Sequence, residues 1–432
     1  MRRGDLIAGR AEKVLMMSGK QVTPLVVDRG SGCWVYDVDG RRYLDFCSSI
    51  AVALVGHCHP EVTEAIKRQC DKLLHYTLAS FIHESAVSLA EKLLELTGKA
   101  DGKVFFTNSG TEAIEGAIKV SRGFFKGSRP WILGFVGSFH GRSLGSLSIT
   151  SSKSVQRRWF SPLLPCVEHT PYPYCYRCPF KLSLDACDLH CASYLEDYVF
   201  NRLVDPSEVC CLVFEPIQGE GGCIVPPPGF WERVERICRS HGILMVADEV
   251  QTGLGRTGMW FAYEHWRIKP HVVCLSKGLA SGLPLGAIVG DGDVMSLPRG
   301  SHASTLGGNP VCCSSALATI NVIEKNNLLE NASRIGGYIT KRLRELKEKV
   351  DIMGDVRGLG LLIGVELVDD KGRANHRALE IALREGVKRG LLLSGSGTST
   401  IRITPPLSIT LEEAEEGLSI LEEVLMEVEK LV

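Results

Sequence analysis

Two stretches decide the fold: ILMVADEVQTG at residues 243–253 and HVVCLSKGLASGLPLGA at residues 271–287. In the first, an apolar run delivers Asp248 and Glu249 at its end, with Gln251 close behind. In the second, the run ends at Ser276 and Lys277 and gives way to a glycine-rich bend. Short unbroken apolar runs closed by polar and glycine residues are the pattern of strands buried on both faces. Working outward, KVFFTNS, WILGFV, VCCLVFEP and LGAIVG repeat that pattern, and helical periodicity fills the spaces between, as in GTEAIEGAIKVSRGFF and a helix near 229–241. Strands alternating with helices predict a mostly parallel α/β sheet. Ligands of such sheets sit beyond the carboxyl ends of the strands. Asn108 to Gly110, Phe139 to Arg142, Gln218 to Gly222, Asp248 to Gly253 and Ser276 to Gly278 all fall on that edge, so the chemistry is expected there.

After Pro310 the character changes. A long helical stretch runs to RELKEKV, followed by GLGLLIGVELV, a helix near 376–389, GLLLSG, TIRITPP and an amphipathic final helix from Leu411 to Val432. These elements predict a smaller α+β domain over residues 311–432, beside a large domain over 56–310. Residues 1–55 contain GCWVYDVDGRRYLDF, whose VDG suits a hairpin turn between two aromatic-rich strands, and are expected to join the smaller domain.

The 432 residues, 44% hydrophobic and 23% charged, are those of a globular chain long enough for two domains. With 49 basic against 50 acidic residues the net charge is −1, so no excess draws the molecule to nucleic acid or an anionic membrane, and a small-molecule partner fits better. The start, MRRGDLIAGR, reaches Asp5 and Gly9 before an apolar segment forms, and no apolar run approaches spanning length. Most of the 16 cysteines stand in apolar stretches, as buried thiols do. A cytoplasmic enzyme is expected.

Three groups at the sheet edge carry the chemistry. Asp248, a carboxylate under apolar cover, needs a cation, although a strand-end aspartate also serves as a helix cap. Lys277 would emerge at the same edge, or stand as a solvated loop lysine. In NSGTEAIEGAIK a helix opens around Gly110 and Thr111, presenting the backbone N–H groups that bind phosphate; a capping box from Ser109 or Thr111 is compatible with that use.

Taken in order from Gly32 to Pro406, NSGTEA, FHGR, EPIQGEGG, DEVQTGLGRTG, SKGLASGLPLGA and STLGGNP make the chain resemble the class III aminotransferases, most nearly 4-aminobutyrate aminotransferase. The resemblance implies fold type I: a mostly parallel seven-stranded sheet flanked by helices, with a smaller α+β domain and pyridoxal 5′-phosphate (PLP) as cofactor. It implies that Lys277 forms the Schiff base with PLP and then shuttles a proton. Asp248 would pair with the pyridine nitrogen so that the ring accepts electrons. Gln251 would reach the phenolic oxygen, Phe139 and Val250 would clamp the ring faces with His140 alongside, and Ser109, Gly110 and Thr111 would take the phosphate. A threonine matching Thr305 reaches the neighbouring subunit's phosphate in that family, which implies a homodimer or higher homo-oligomer.

For substrate, the resemblance points to Arg142 and Arg402, since a guanidinium matches a carboxylate with two parallel hydrogen bonds. Glu220 would pair with Arg402 whenever the substrate brings no carboxylate there. Ile50 stands where the family uses isoleucine in 4-aminobutyrate aminotransferases and tyrosine in ornithine aminotransferases. The expected reaction is transfer of an amino group from an ω-amino acid such as 4-aminobutyrate to 2-oxoglutarate. The alternative is an amino-acid racemase of the same family, which needs a second proton donor opposite the lysine. One segment falls outside the catalytic pattern: YCYRCPFKLSLDACDLHC sets Cys175, Cys178, Cys187 and Cys191 with two, eight and three residues between them. Zinc, an iron–sulfur cluster, reduced thiols and a disulfide are all open readings of it.

Overall fold

The computed structural model describes residues 2–16, 18–19 and 24–432. Its strands form three sheets. The first holds β1 (Val27–Ser31), β2 (Trp34–Asp37) and β3 (Arg42–Asp45), where β2 and β3 are the hairpin expected around VDG. The central sheet has seven strands: β4 (Lys103–Thr107), β5 (Trp131–Phe135), β6 (Val167–Thr170), β7 (Val209–Phe214), β8 (Leu244–Asp248), β9 (Val272–Leu275) and β10 (Gly286–Gly290). Their order is β4-β10-β9-β8-β7-β5-β6. Only β10 runs against the rest, pairing antiparallel with both β4 and β9.

The unbroken apolar runs have a direct cause. Strand side chains alternate between faces, and both faces of this sheet are covered. Leu244 and Val246 of β8, with Val272 and Cys274 of β9, join a cluster with Ala113, Ile114, Ala117 and Ile118 of the helix Gly110–Phe124. Met245 and Ala247, with Val273 and Leu275, face the other way, into the cluster that holds Trp231, Val234 and Ile237 of the helix Phe230–Ser240.

Downstream, β11 (Met353–Leu359), β12 (Leu362–Leu367), β14 (Ser394–Ser396) and β15 (Thr400–Ile403) form an antiparallel sheet, while β13 (Leu391–Leu392) leaves it to pair in parallel with β3. GLGLLIGVELV thus contains a turn: Gly360, at φ +54°, lies so close to the Thr257 backbone that a Cβ would stand 2.4 Å from the Thr257 carbonyl carbon. The last helix, Leu411–Leu431, opens with a reciprocal cap in which Glu413 N donates to Thr410 Oγ1 and Thr410 N donates to the Glu413 carboxylate. Among the described residues no helix is long and apolar enough to cross a membrane.

The segment 46–55 ties the sheets together. Thr404 N donates to Phe46 O and Leu407 N to Leu54 O, while the Leu54 side chain packs on Gly278. The strand that carries Arg402 and the turn that carries Lys277 are therefore joined through one linker.

Candidate active site

Strand β8 ends at Asp248, which is 4% exposed. Its Oδ1 accepts from Val250 N at 3.0 Å, and its Oδ2 stands 2.7 Å from His140 Nδ1. The other ring nitrogen of His140, Nε2, is buried without a hydrogen-bond partner. His140 comes from the FHGR turn after β5, and that turn is stitched to a helix start. Thr111 Oγ1 accepts from Arg142 N and Ser143 N, both at 3.2 Å, and lies 2.7 Å from Ser143 Oγ and 2.6 Å from Ser146 Oγ. Gly141 permits the approach: its φ is +133°, and a Cβ would come within 2.2 Å of Thr111 Oγ1.

The helix Gly110–Phe124 presents its amino end to the same place. Ser109 is its cap, with Oγ accepting from Glu112 N, and helix geometry leaves the Gly110 and Thr111 N–H groups without intrahelical acceptors. With the Thr111 hydroxyl engaged by its neighbours, those N–H groups are the natural anion donors. A Cβ on Gly110 would meet Val250 Cγ1 at 2.8 Å and Ser276 Cβ at 3.5 Å, so the helix start lies directly against the residues flanking Asp248 and Lys277.

Lys277 follows β9 with φ +45°, a left-handed conformation uncommon for a residue that bears a side chain. The residue is partly exposed, yet the amine is desolvated. Burial, reinforced by the Arg402 charge, depresses it to about 8 against the opposing pull of Asp248, Glu215 and Glu220. An amine held there supplies its neutral form near physiological pH.

Glu215, which the sequence reading passed over, accepts from Phe139 N and Gly219 N, each at 2.9 Å. Burial pushes it up to about 7, with a further push from Asp248. It clamps the Phe139 loop to the Glu220 loop. The available signal was an acidic residue closing the apolar run VCCLVF, the same pattern that marked Asp248. Glu249 is likewise buried and raised to about 8 by burial, and it accepts from Tyr263 N at 2.9 Å, which pins the turn carrying Gln251.

Arg402, on β15, is 2% exposed. It donates through Nε to Ser394 Oγ at 3.2 Å and through Nη1 to Gln251 Oε1 at 3.2 Å and Glu220 Oε2 at 3.4 Å. The other Glu220 oxygen accepts from Lys153 Nζ at 2.7 Å.

Arg142, Ile50 and Thr305 lie around this network with exposed side chains, Arg142 joining it through its backbone N. Arg142 is exposed, its guanidinium 5.5 Å from the Phe139 ring centre. Ile50 is 50% exposed within a run, Ser48 to Ala51, in which all four residues have positive φ. Thr305 is exposed in the segment whose Ser304 Oγ accepts from Asn108 Nδ2 at 3.2 Å. Cys175, Cys178, Cys187 and Cys191 line one narrow cavity beside Tyr174 and Phe230 as free thiols. Burial, then the neighbouring thiols, raise Cys191 to about 12. Among the described residues no group of three or more His, Cys, Asp or Glu side chains is disposed to hold a metal ion.

Residues 15–425 match the family described as Aminotransferase class-III. The chain belongs to the class III aminotransferases. This class III chain is 41% identical to an alanine/serine racemase of Pyrococcus horikoshii, over 98% of its own length and 90% of that protein. It is 38% identical to a probable 4-aminobutyrate aminotransferase of Bacillus subtilis, over 91% of each. Among solved structures it resembles an amine transaminase from an uncultivated Pseudomonas species in its PLP-bound form, with a TM-score of 0.90, 30% identity, and coverage of 96% of this chain and 98% of that one. The class III aminotransferases depend on PLP. The groups present here fit it: an amine depressed to about 8, a buried carboxylate and a helix amino end, joined through Val250 and Ser276.

Proposed function

We propose that this enzyme transfers the amino group of an ω-amino acid such as 4-aminobutyrate to 2-oxoglutarate, in two half-reactions of a ping-pong cycle. The carrying observation is the buried Arg402 paired with Glu220. A lone guanidinium in that setting is costly, so an internal carboxylate fills its place until a substrate carboxylate arrives, and one site can then serve two different substrates.

PLP supplies the aldehyde that captures the amine and the ring that accepts electrons. The chain's residues do the rest. Lys277 removes and returns the proton at the carbon bearing the amino group. Asp248, held by His140 and Val250 N, keeps the ring nitrogen protonated. Phe139 and Val250 would restrict the ring together with His140 and Gln251, while Ser109, Gly110 and Thr111 would hold the phosphate. Arg402 takes the carboxylate of 2-oxoglutarate next to its keto group, Arg142 takes a distal carboxylate, and Ile50 offers an apolar wall to the donor. Thr305 reaches the phosphate of a second subunit, making the working unit at least a homodimer. Pairing of β3 with β13 supports grouping residues 1–55 with 311–432, beside the cofactor-binding part at 56–310.

A second reading, amino-acid racemase, draws support from the 41% identity to the alanine/serine racemase. Incubating the PLP-loaded enzyme with single L-amino acids, with and without 2-oxoglutarate, separates the two by chiral chromatography. Transamination predicts conversion that depends on the keto acid. Accumulation of the D-form without it establishes the racemase instead.

A further inference from the structure

Glu220 has one carboxylate and two cations. Lys153 Nζ donates to Oε1 at 2.7 Å, while Arg402 Nη1 reaches Oε2 at 3.4 Å, so the closer partner is the lysine. Their surroundings differ. The Arg402 side chain is 3% exposed and retains Gln251 and Ser394 as acceptors, whereas Lys153, 38% exposed, lies beyond Glu220 on the wall of an outer cavity with Arg157 and Arg158. The Glu220 main chain is pinned, its carbonyl accepting from Gly397 N at 2.7 Å. Release of Arg402 with Lys153 still bound therefore needs only side-chain rotation. A substrate carboxylate that takes Arg402 displaces a carboxylate whose side chain is only 21% exposed, and stripping such a group of every cation is costly. Lys153 removes that cost by keeping one partner in place throughout.

We propose that Lys153 is a positioning residue that keeps a cation on Glu220 when a substrate carboxylate displaces it from Arg402, and so sets the preference between substrates that carry a carboxylate beside the reacting carbon and those that do not. The inference rests on the reading of Arg402 as the site for that carboxylate. Without Lys153, Glu220 settles on Arg402 alone and competes with α-amino acids and 2-oxo acids. ω-Amino acids, whose reacting carbon bears no carboxylate, react with the pair closed and are unaffected.

The test uses PLP-loaded K153M, K153R, E220Q and K153M/E220Q enzymes in half-reactions with L-glutamate and 4-aminobutyrate. K153M is expected to raise the KM for L-glutamate about tenfold, the scale of one charge-assisted contact, with kcat and the KM for 4-aminobutyrate within about twofold. K153R restores the L-glutamate KM, E220Q lowers it, and K153M adds nothing in the E220Q background. Equal KM changes for both donors, a loss confined to kcat, or full additivity with E220Q overturns the proposal. If E220Q lowers the L-glutamate KM while K153M changes nothing, the lysine's role fails and the Arg402 reading stands. A native enzyme that does not convert L-glutamate, or an E220Q enzyme with an unchanged L-glutamate KM, removes both.

Discussion

Asp248 Oδ2 and His140 Nδ1 face each other at 2.7 Å, with both side chains closed to solvent. The second carboxylate oxygen is tied to Val250 N, so the group is fixed in orientation before any ligand binds. Asp248→Asn keeps the shape and removes the charge. The expected result is a kcat lower by about 10²- to 10³-fold, with thermal midpoint and cofactor occupancy close to native. Steady-state kinetics alongside melting curves check this, and an unchanged kcat would show that the ring draws no benefit from this carboxylate.

Cofactor-free protein offers a pH test. The Lys277 amine is at about 8 in the folded chain, against 10.5 for an ordinary lysine. Below pH 8 both folded and unfolded amines are charged, and the folded chain bears the full penalty of a desolvated cation. Between about 8 and 10.5 the unfolded chain binds more protons, so stability rises with pH in that window. Lys277→Met is therefore predicted to stabilise the cofactor-free chain at pH 7 by about 1–3 kcal/mol, after allowance for partial exposure. The difference should shrink steadily toward pH 10.5. Denaturant melts of both proteins at several pH values measure it; a gap constant with pH contradicts the desolvated amine.

Replacing Arg402 with lysine keeps the charge but loses the planar fork that reaches Ser394, Gln251 and Glu220 together. The KM for L-glutamate is expected to rise about 10- to 100-fold, consistent with loss of charge-assisted hydrogen bonds. Half-reaction kinetics read this directly.

Gly110 opens the helix proposed to hold the phosphate, where that helix lies against the Asp248 turn. A methyl there meets Val250 at 2.8 Å, so Gly110→Ala should push the helix start outward. Weaker PLP retention by about tenfold is expected, which is the scale of a 1.4 kcal/mol loss. Dialysis followed by PLP titration provides the measurement.

The parts legible in the sequence share a physical origin. β7, β8 and β9 are buried at every position, so their apolar runs announced both the sheet and its carboxyl edge, and with it Asp248 and Lys277. The turn at Gly360 was hidden because the residues on both sides of it are apolar. Glu215 was masked by the better-marked Glu220 five residues later. Lys153 lies in a loop without periodicity and meets Glu220 only through the fold, 67 residues away along the chain. The cysteine segment holds short 3₁₀ turns at Cys175–Arg177 and Leu184–Ala186 before the helical run that begins at His190. Its spacing brought four thiols to one cavity without specifying what they do.

The central claim, that Lys277 carries the cofactor opposite Asp248, has one direct test. The purified protein is loaded with PLP, reduced with borohydride and digested, and the modified peptide is sequenced by mass spectrometry. The account predicts a phosphopyridoxyl group on Lys277 and none in the Lys277→Ala protein. Attachment to any other lysine, or no attachment in the native chain, would contradict it.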